Sequence, residues 1–465
     1  MKLSFHGAAR TVTGSKHLLT LADGRKILLD CGLFQGGKEL QLLNHQFGFN
    51  PMEIAALVLS HAHIDHTGLI PKLVKEGFTG PIYCSTATAD LVEILLKDSA
   101  KIQEEDTKFI NKRRESSGLQ PIKPLYVLKD VEKALTQIVS RKMHQNFEVI
   151  SGVECYYTDA GHILGSCVVN LTIADKSKTK RICFTGDIGR YASPLLKNPE
   201  KFPQADIILC ESTYGDSLHD DTTMNENVFY GIIQETCVVR KGKLIIPAFS
   251  VGRTQEIVYA LNKLSLAGKL PPIKVFVDSP LSILATEVTK KHKECFNKNI
   301  LEVMEKDEDP FDFEGLFYIS ERVDSQGLND YKEPCIIISA SGMAEFGRIK
   351  HHIAHNIESE KNTILIVGYC EPQSLGARLL SDEPRVRIFG NYLNKAAQVK
   401  KIKSFSAHGD YSDMLHFLSC QDPKKVEKIF LVHGEAKVQN NWKNKLINAG
   451  FDFVEIPEIH QIFDI

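Results

Sequence analysis

The feature that most constrains this chain is His61-Ala62-His63-Ile64-Asp65-His66, set directly after the strand-like run ALVLS (56–60). Four side chains able to ligate a cation fall within six positions, at a strand-to-loop boundary where they can converge, and a Gly-Leu-Ile-Pro helix start follows. Imidazole and carboxylate together suit a borderline cation such as Zn2+. Six positions cannot complete two metal sites, so further ligands must come from distant parts of the chain that the fold brings to one place. His162 in Asp-Ala-Gly-His, Asp187 in Thr-Gly-Asp-Ile-Gly and His433 in Leu-Val-His-Gly have matching settings. Each follows a strand-like run or a turn and sits beside a glycine, which permits close backbone approach.

The remaining pattern is layered. To about residue 210 the chain reads as short strands, KHLLTL, KILLD, ALVLS, PIYCS, CVVNLTI and RICFTGD, with helical periodicity between them, as over 88–105. Such alternation points to an α/β architecture. The polar stretch 215–227 predicts a loop between units. After it come continuous apolar runs, KLIIPAF (243–249), VFVDS (275–279), CIIISAS (335–341) and TILIVGYC (363–370), which predict a parallel sheet buried on both faces. Ligands gather at the carboxyl ends of such strands, where Ser250, Ser339, Ser341 and Glu371 would lie. The closing segment returns to the first style with KIKSFSAH and KIFLVHGE. The acidic run 305–315 reads as a solvated loop. The short basic clusters Lys112-Arg113-Arg114, Lys350-His351-His352 and Lys400-Lys401 read as solvated surface.

Composition sets limits on partners. A length of 465 residues allows two domains, each with its own core, and 43% hydrophobic with 25% charged residues is ordinary for globular protein. With a formal net charge of −2, any attraction to a polyanion must be local. The eleven cysteines form no C-x-x-C pair, which predicts reduced thiols. No apolar run approaches the roughly 18 residues of a membrane span. The N-terminus lacks the apolar core of a secretory signal, so the expectation is a cytoplasmic location with no membrane partner.

With Asp30 before it and His162 and Asp187 after it, the H-x-H-x-D-H motif resembles that of the metallo-β-lactamase superfamily. More narrowly, Glu211-Ser212-Thr213-Tyr214-Gly215, Phe405-Ser406-Ala407-His408-Gly409 and Leu431-Val432-His433-Gly434 resemble the β-CASP nucleases, as do 247–256 and 339–343. That branch includes the eukaryotic pre-mRNA 3′-end endonuclease and short prokaryotic RNases, and the resemblance covers essentially the whole chain. It implies an α/β fold: an αββα metallo-β-lactamase sandwich from 1–210 and 391–465, with a parallel-sheet α/β β-CASP domain inserted at 211–390 and the active site in the cleft.

The resemblance also implies two Zn2+ per chain, one held by His61, His63 and His162, the other by Asp65, His66 and His433, with Asp187 bridging both. Asp30 would orient a ligand histidine without binding metal. His408 would act as general acid with Glu211 as its partner, Asp65 and Asp187 standing beside them among the catalytic carboxylates. The implied reaction is endonucleolytic hydrolysis of RNA, leaving 5′-phosphate and 3′-hydroxyl ends. Ser250, Arg253, Ser374 and Arg378 are the candidate phosphate contacts, although Arg253 could equally pair with Glu256, and Pro372-Gln373 departs from the family's glycine-rich wording.

Single-stranded RNA is favoured over DNA because DNA-cutting members have an apolar residue at the place of His433. About 180 residues between Glu211 and Asn391 argue against a small-molecule hydrolase, and the intact ligand set argues against a non-catalytic scaffold. The chain resembles the minimal members of the branch, without an added nucleic-acid-binding module. A homo-oligomer is left open.

Overall fold

The early strands are buried at successive positions, as at Ile27, Leu28 and Leu29 or Ala56, Leu57 and Val58, so they lie between two layers. The computed structural model describes residues 1–175, 178–219, 222–368, 370, 373–402 and 406–465. The chain divides into two compact units, the first formed by 1–218 with 408–465 and the second by 219–407. Among the described residues the first unit contains two seven-stranded sheets.

One sheet runs β22-β1-β2-β3-β4-β5-β6. Its strands are β1 (Lys2–Phe5), β2 (His17–Thr20), β3 (Lys26–Leu29), β4 (Ile54–Val58), β5 (Ile82–Ser85), β6 (Ile138–Arg141) and β22 (Ile462–Asp464). The other runs β21-β20-β11-β10-β9-β8-β7. It is built from β7 (Asn146–Ile150), β8 (Val153–Asp159), β9 (Cys167–Asp175), β10 (Lys178–Phe184), β11 (Ile207–Glu211), β20 (Lys428–Val432) and β21 (Val454–Glu455).

The two sheets pack face to face. Phe5, Leu29 and Val58 from the first meet Tyr157, Val169, Phe184, Leu209 and Phe430 from the second in one core. Alternation along β11 divides its residues between layers: Ile207 and Leu209 face that core, while Ile208 and Cys210 face Phe417, Trp442 and Leu446 of the helices Tyr411–Leu418 and Ala436–Asn448. The helix Thr86–Ser116 packs on β5 and β6 at the outer side of the other sheet. The result is the expected αββα order of layers.

The second unit holds a parallel sheet in the order β14-β13-β15-β12-β16-β19. It comprises β12 (Lys243–Pro247), β13 (Lys274–Val277), β14 (Leu316–Tyr318), β15 (Cys335–Ser339), β16 (Thr363–Val367) and β19 (Gln398–Ile402). Between the last two lies a separate hairpin, β17 (Arg385–Ile388) and β18 (Asn391–Asn394). Strands β12, β15 and β16 are buried at every position, as continuous apolar runs require. Because β19 pairs with β16, this unit's strands continue past residue 390.

Two local expectations differ from the structure. A helix Thr222–Ile233 begins inside the stretch read as a loop. The acidic run 305–315 is anchored by Phe311, fully buried against Phe296, so its charged residues ring an apolar plug. Glu371 and Phe405 lie outside the described residues. Among the described residues, no helix is long and apolar enough to cross a membrane.

At the entry to β2, Lys16 is fully buried. Its Nζ donates to the carbonyls of Gly14 (2.7 Å) and Gly32 (2.8 Å) and lies 4.1 Å from the centre of the Phe34 ring. Burial pushes its pKa down to about 7. The unfolded chain keeps this proton to about pH 10.4, so between those values unfolding takes up a proton and stability rises with pH. We predict that Lys16→Met flattens the pH dependence of the unfolding free energy above pH 7, by up to about 1.4 kcal/mol per pH unit. Denaturant titrations of both proteins across that range measure it.

Candidate metal centre

The ligand candidates all sit where strands end or turn. His61, His63, Asp65 and His66 follow β4, with the short helix Ile64–Thr67 turning Asp65 and His66 back toward the strand end. His162 lies in the turn between β8 and β9, Asp187 after β10, Glu211 at the last position of β11, and His433 just after β20. Close backbone packing brings the turns together: a Cβ on Gly189 would stand 1.9 Å from the carbonyl oxygen of Gly161, so only glycine lets the loops of His162 and Asp187 touch. Gly189 also forms a β-bridge with His408, and Gly409 N–H donates to Ile188 O at 2.8 Å, which joins the His408 segment to the loop of Asp187.

Two sets of side chains hold the seven ligand candidates, and a third group, Asp187, Glu211, His408 and His433, overlaps them. His61, His63, His162 and Asp187 present donor atoms all within 4.8 Å of one another, and so do Asp65, His66 and His433. In the first set His61 Nε2 and His162 Nε2 lie 3.1 and 3.3 Å from His63 Nδ1. Asp187 faces both sets with different oxygens. Its Oδ2 is 3.5 Å from His61 Nε2 and 3.6 Å from His162 Nε2; its Oδ1 is 3.4 Å from His66 Nε2 and 3.5 Å from His433 Nδ1.

Among these atoms His66 Nε2 and Asp187 Oδ1 are buried without a hydrogen-bond partner. Buried polar atoms left unpaired are costly, and a set of them aimed at one another fits a cation between them. Burial also pushes His61 and His162 well below the usual imidazole range and His63 down to about 4, so these rings keep the lone pairs that ligation needs. Burial alone would raise Asp187, but His433 and His66 beside it hold its carboxyl well below the usual range.

The supports of this cluster are fixed in turn. Asp30 is fully buried and accepts from His66 Nδ1 at 2.6 Å, from Ser60 N–H at 2.8 Å and from Ser60 Oγ at 2.8 Å. Asp30 and His433 both adopt left-handed backbone, with φ of 57° and 53°. Such conformations cost about 1–3 kcal/mol each and persist only where neighbours impose them. Here Asp30 N–H donates to Val58 O (3.0 Å) and His433 N–H to Ala8 O (2.7 Å).

His408 Nδ1 lies 3.2 Å from Glu211 Oε1, and its Nε2 is 3.9 Å from Asp187 Oδ2. Glu211 is fully buried and accepts from the backbone N–H of Ile188 (2.6 Å) and of Thr213 (3.2 Å). Burial disfavours a charged His408 ring, but Glu211 and Asp187 override it and push its pKa up to about 9.

Two contributors were missed in the sequence. Ser60 holds Asp30 and also lies 3.1 Å from His61 Nδ1, and Thr213 Oγ1 lies 2.9 Å from His433 Nδ1. Their positions, next to a ligand motif and inside Glu-Ser-Thr-Tyr-Gly, were the available signal.

The four candidate phosphate contacts belong to the second unit. Arg253 is buried and pairs with Glu256; Arg378 pairs with Glu345 at 3.3 Å. Ser374 caps the helix Leu375–Leu380 through the N–H of Ala377, and Ser250 is half-buried just before the helix Arg253–Leu266.

Profiles described as the metallo-β-lactamase superfamily, the Beta-Casp domain and a Zn-dependent metallo-hydrolase RNA specificity domain match residues 17–135, 254–379 and 392–457. Ribonuclease TTHA0252 of Thermus thermophilus is 34% identical over 436 residues, 94% of this chain and 93% of that protein. The chain belongs to the β-CASP family. This β-CASP protein is also 30% identical to transcription termination factor FttA of Methanococcus maripaludis, over 94% of this chain and 67% of that one. Its identity to Drosophila melanogaster cleavage and polyadenylation specificity factor 73 is 28%, over 94% of this chain and 60% of the relative. Membership makes it a metal-dependent hydrolase, and the clustered His and Asp side chains are where a metal would bind.

If Asp30 aims His66, Asp30→Asn will weaken metal binding by about 10–100-fold while the protein stays folded. Competition against a chromophoric chelator, with circular dichroism as the control for folding, measures this.

Proposed function

We propose that this β-CASP protein is a zinc-dependent endoribonuclease, hydrolysing single-stranded RNA to leave 5′-phosphate and 3′-hydroxyl ends. The observation that carries the reading is Asp187, whose two oxygens face separate sets of imidazoles, with His408 beside it. His61, His63 and His162 would hold one zinc, Asp65, His66 and His433 the other, and Asp187 both. When bound, the pair supplies Lewis acidity that makes water reactive near neutral pH and offsets charge on the phosphate.

The chain's own part is proton handling and orientation. Glu211, pinned by two backbone N–H groups, accepts from His408 Nδ1 and fixes the ring. His408 Nε2 then carries the proton delivered to the departing 3′ oxygen. Once that proton is given up, Glu211 draws the next one back by favouring the charged ring.

RNA as substrate is supported by the ribonuclease among the relatives, by the match to an RNA specificity domain, and by His433 completing the second set. Ser250, Arg253, Ser374 and Arg378 are proposed as contacts to the RNA backbone. Glu256 and Glu345 would have to release the two arginines, or share them, for this to happen. Eleven free cysteines fit a reducing compartment, the cytoplasm.

Incubation with a circular single-stranded RNA and the matching circular DNA tests the reading, since a circle yields only to internal cleavage. RNA should be opened to 5′-phosphate ends, with DNA intact and chelator abolishing the reaction. His408→Ala should slow it by about 10²–10⁴-fold with metal still bound. No cleavage of either circle by metal-loaded protein would favour a small-molecule hydrolase or a scaffold.

A further inference from the structure

The second unit carries an exposed aromatic surface that the hydrolytic chemistry does not use. Strands β17 and β18 pair with Ile388 opposite Asn391, so the hairpin closes through two residues, Phe389 and Gly390. Both have positive φ, 51° and 88°, the conformation of a type I′ turn. The first place of that turn strongly favours asparagine, aspartate or glycine, and a bulky residue there is an outlier. A sequence selected only for the hairpin would not put phenylalanine at this point. Phe389 is also 53% exposed and so adds little to the core. Strain retained at an exposed side chain points to a use for that side chain.

The surroundings indicate what it meets. Val386 and Ile388 anchor one face of the hairpin in the unit's core, so Arg385, Arg387 and Tyr392 stand on the other. Tyr392 is 69% exposed and directly opposite Arg387, whose guanidinium lies 6.0 Å from its ring centre. From the helix Arg348–Asn356, the His351 ring lies against Phe389, tilted by 32° with centres 4.5 Å apart, and Lys350 Nζ stands 5.4 Å from the same ring.

Among the described residues Lys350, Arg385 and Arg387 make no ion pair; their hydrogen bonds go to Glu345 O, Asn394 Oδ1 and Gly390 O. At the far end of the hairpin the Glu358 carboxylate accepts from Asn394 N–H. Of the cluster read as solvated surface, His352 departs, being buried on Asp278, while His351 is exposed and Lys350 partly so.

We propose that this face docks single-stranded RNA, its bases stacking on Phe389 and Tyr392 and its phosphates meeting Lys350, Arg385 and Arg387. Exposed rings set beside unpaired cations match a polyanion with free bases. The proposal deepens the RNA reading and rests on it for the choice of polymer, but it concerns binding and not hydrolysis.

The test is fluorescence anisotropy of a labelled oligouridine with the full chain in chelator, so that no cleavage intervenes. Phe389→Asn with Tyr392→Ser should weaken binding by about tenfold or more. Phe389→Trp with Tyr392 intact should keep most of the parent's affinity, and binding of a perfect RNA duplex should not change in the double variant. Arg387→Gln should lower the salt dependence by about one phosphate contact. Because asparagine relieves the turn, Phe389→Asn should unfold at or above the parent's midpoint; a lower midpoint would mean that the ring serves the fold and overturns the proposal. Unchanged oligouridine affinity in the double variant would overturn it too, and altered self-association in its place would assign the face to a second copy. Weakened binding by variants of a parent that cuts no RNA would sink the nuclease reading while leaving this one intact.

Discussion

A single buried carboxylate organises the centre. Asp187 sits at the end of β10, 2% exposed, with imidazoles approaching both of its oxygens. A carboxylate removed from water is tolerated only where positive charge or hydrogen bonds replace the lost hydration. Here the replacement comes from rings on separate parts of the chain, so Asp187 ties those parts to one another. Divalent charge between the two sets of donors would complete the compensation, and that is why the cluster reads as a metal centre and not as a network of hydrogen bonds.

The sandwich makes such a meeting possible. Strands β4, β10, β11 and β20 end with His61, Asp187, Glu211 and His433 beyond or at their last residues. Parallel pairing of β10 with β11 and of β11 with β20 puts their carboxyl ends side by side. Facing sheets then set the β4 loop opposite them across the core of Phe5, Val58, Phe184 and Phe430. Backbone strain at Asp30 and His433 is kept within this frame by bonds to β4 and to the loop after β1. The rigid layers hold residues whose own backbone preferences would place them elsewhere.

Much of this was legible beforehand because metal ligation leaves a dense local signature. Four ligating residues in six positions after an apolar strand stand out from any background, and buried strands advertise themselves by continuous apolar runs. The supports were less visible: Ser60 and Thr213 are small hydroxyl residues whose importance arises only once Asp30 and His433 have been folded against them. Strand β19 is polar at most positions because it lies on the edge of its sheet, which explains why its membership of the second unit was hidden. Phe311 and Phe389 show the same difficulty in opposite senses, one an apolar plug inside an acidic run, the other an apolar ring exposed on a turn.

The proposed centre would hold two metal ions with Asp187 between them. Crystals grown with zinc, with data collected at the zinc absorption edge, test it most directly through the anomalous difference map. The account predicts two peaks, one ringed by His61, His63 and His162 and the other by Asp65, His66 and His433, with Asp187 between them. A single peak, or peaks that leave Asp187 without contact, would contradict it.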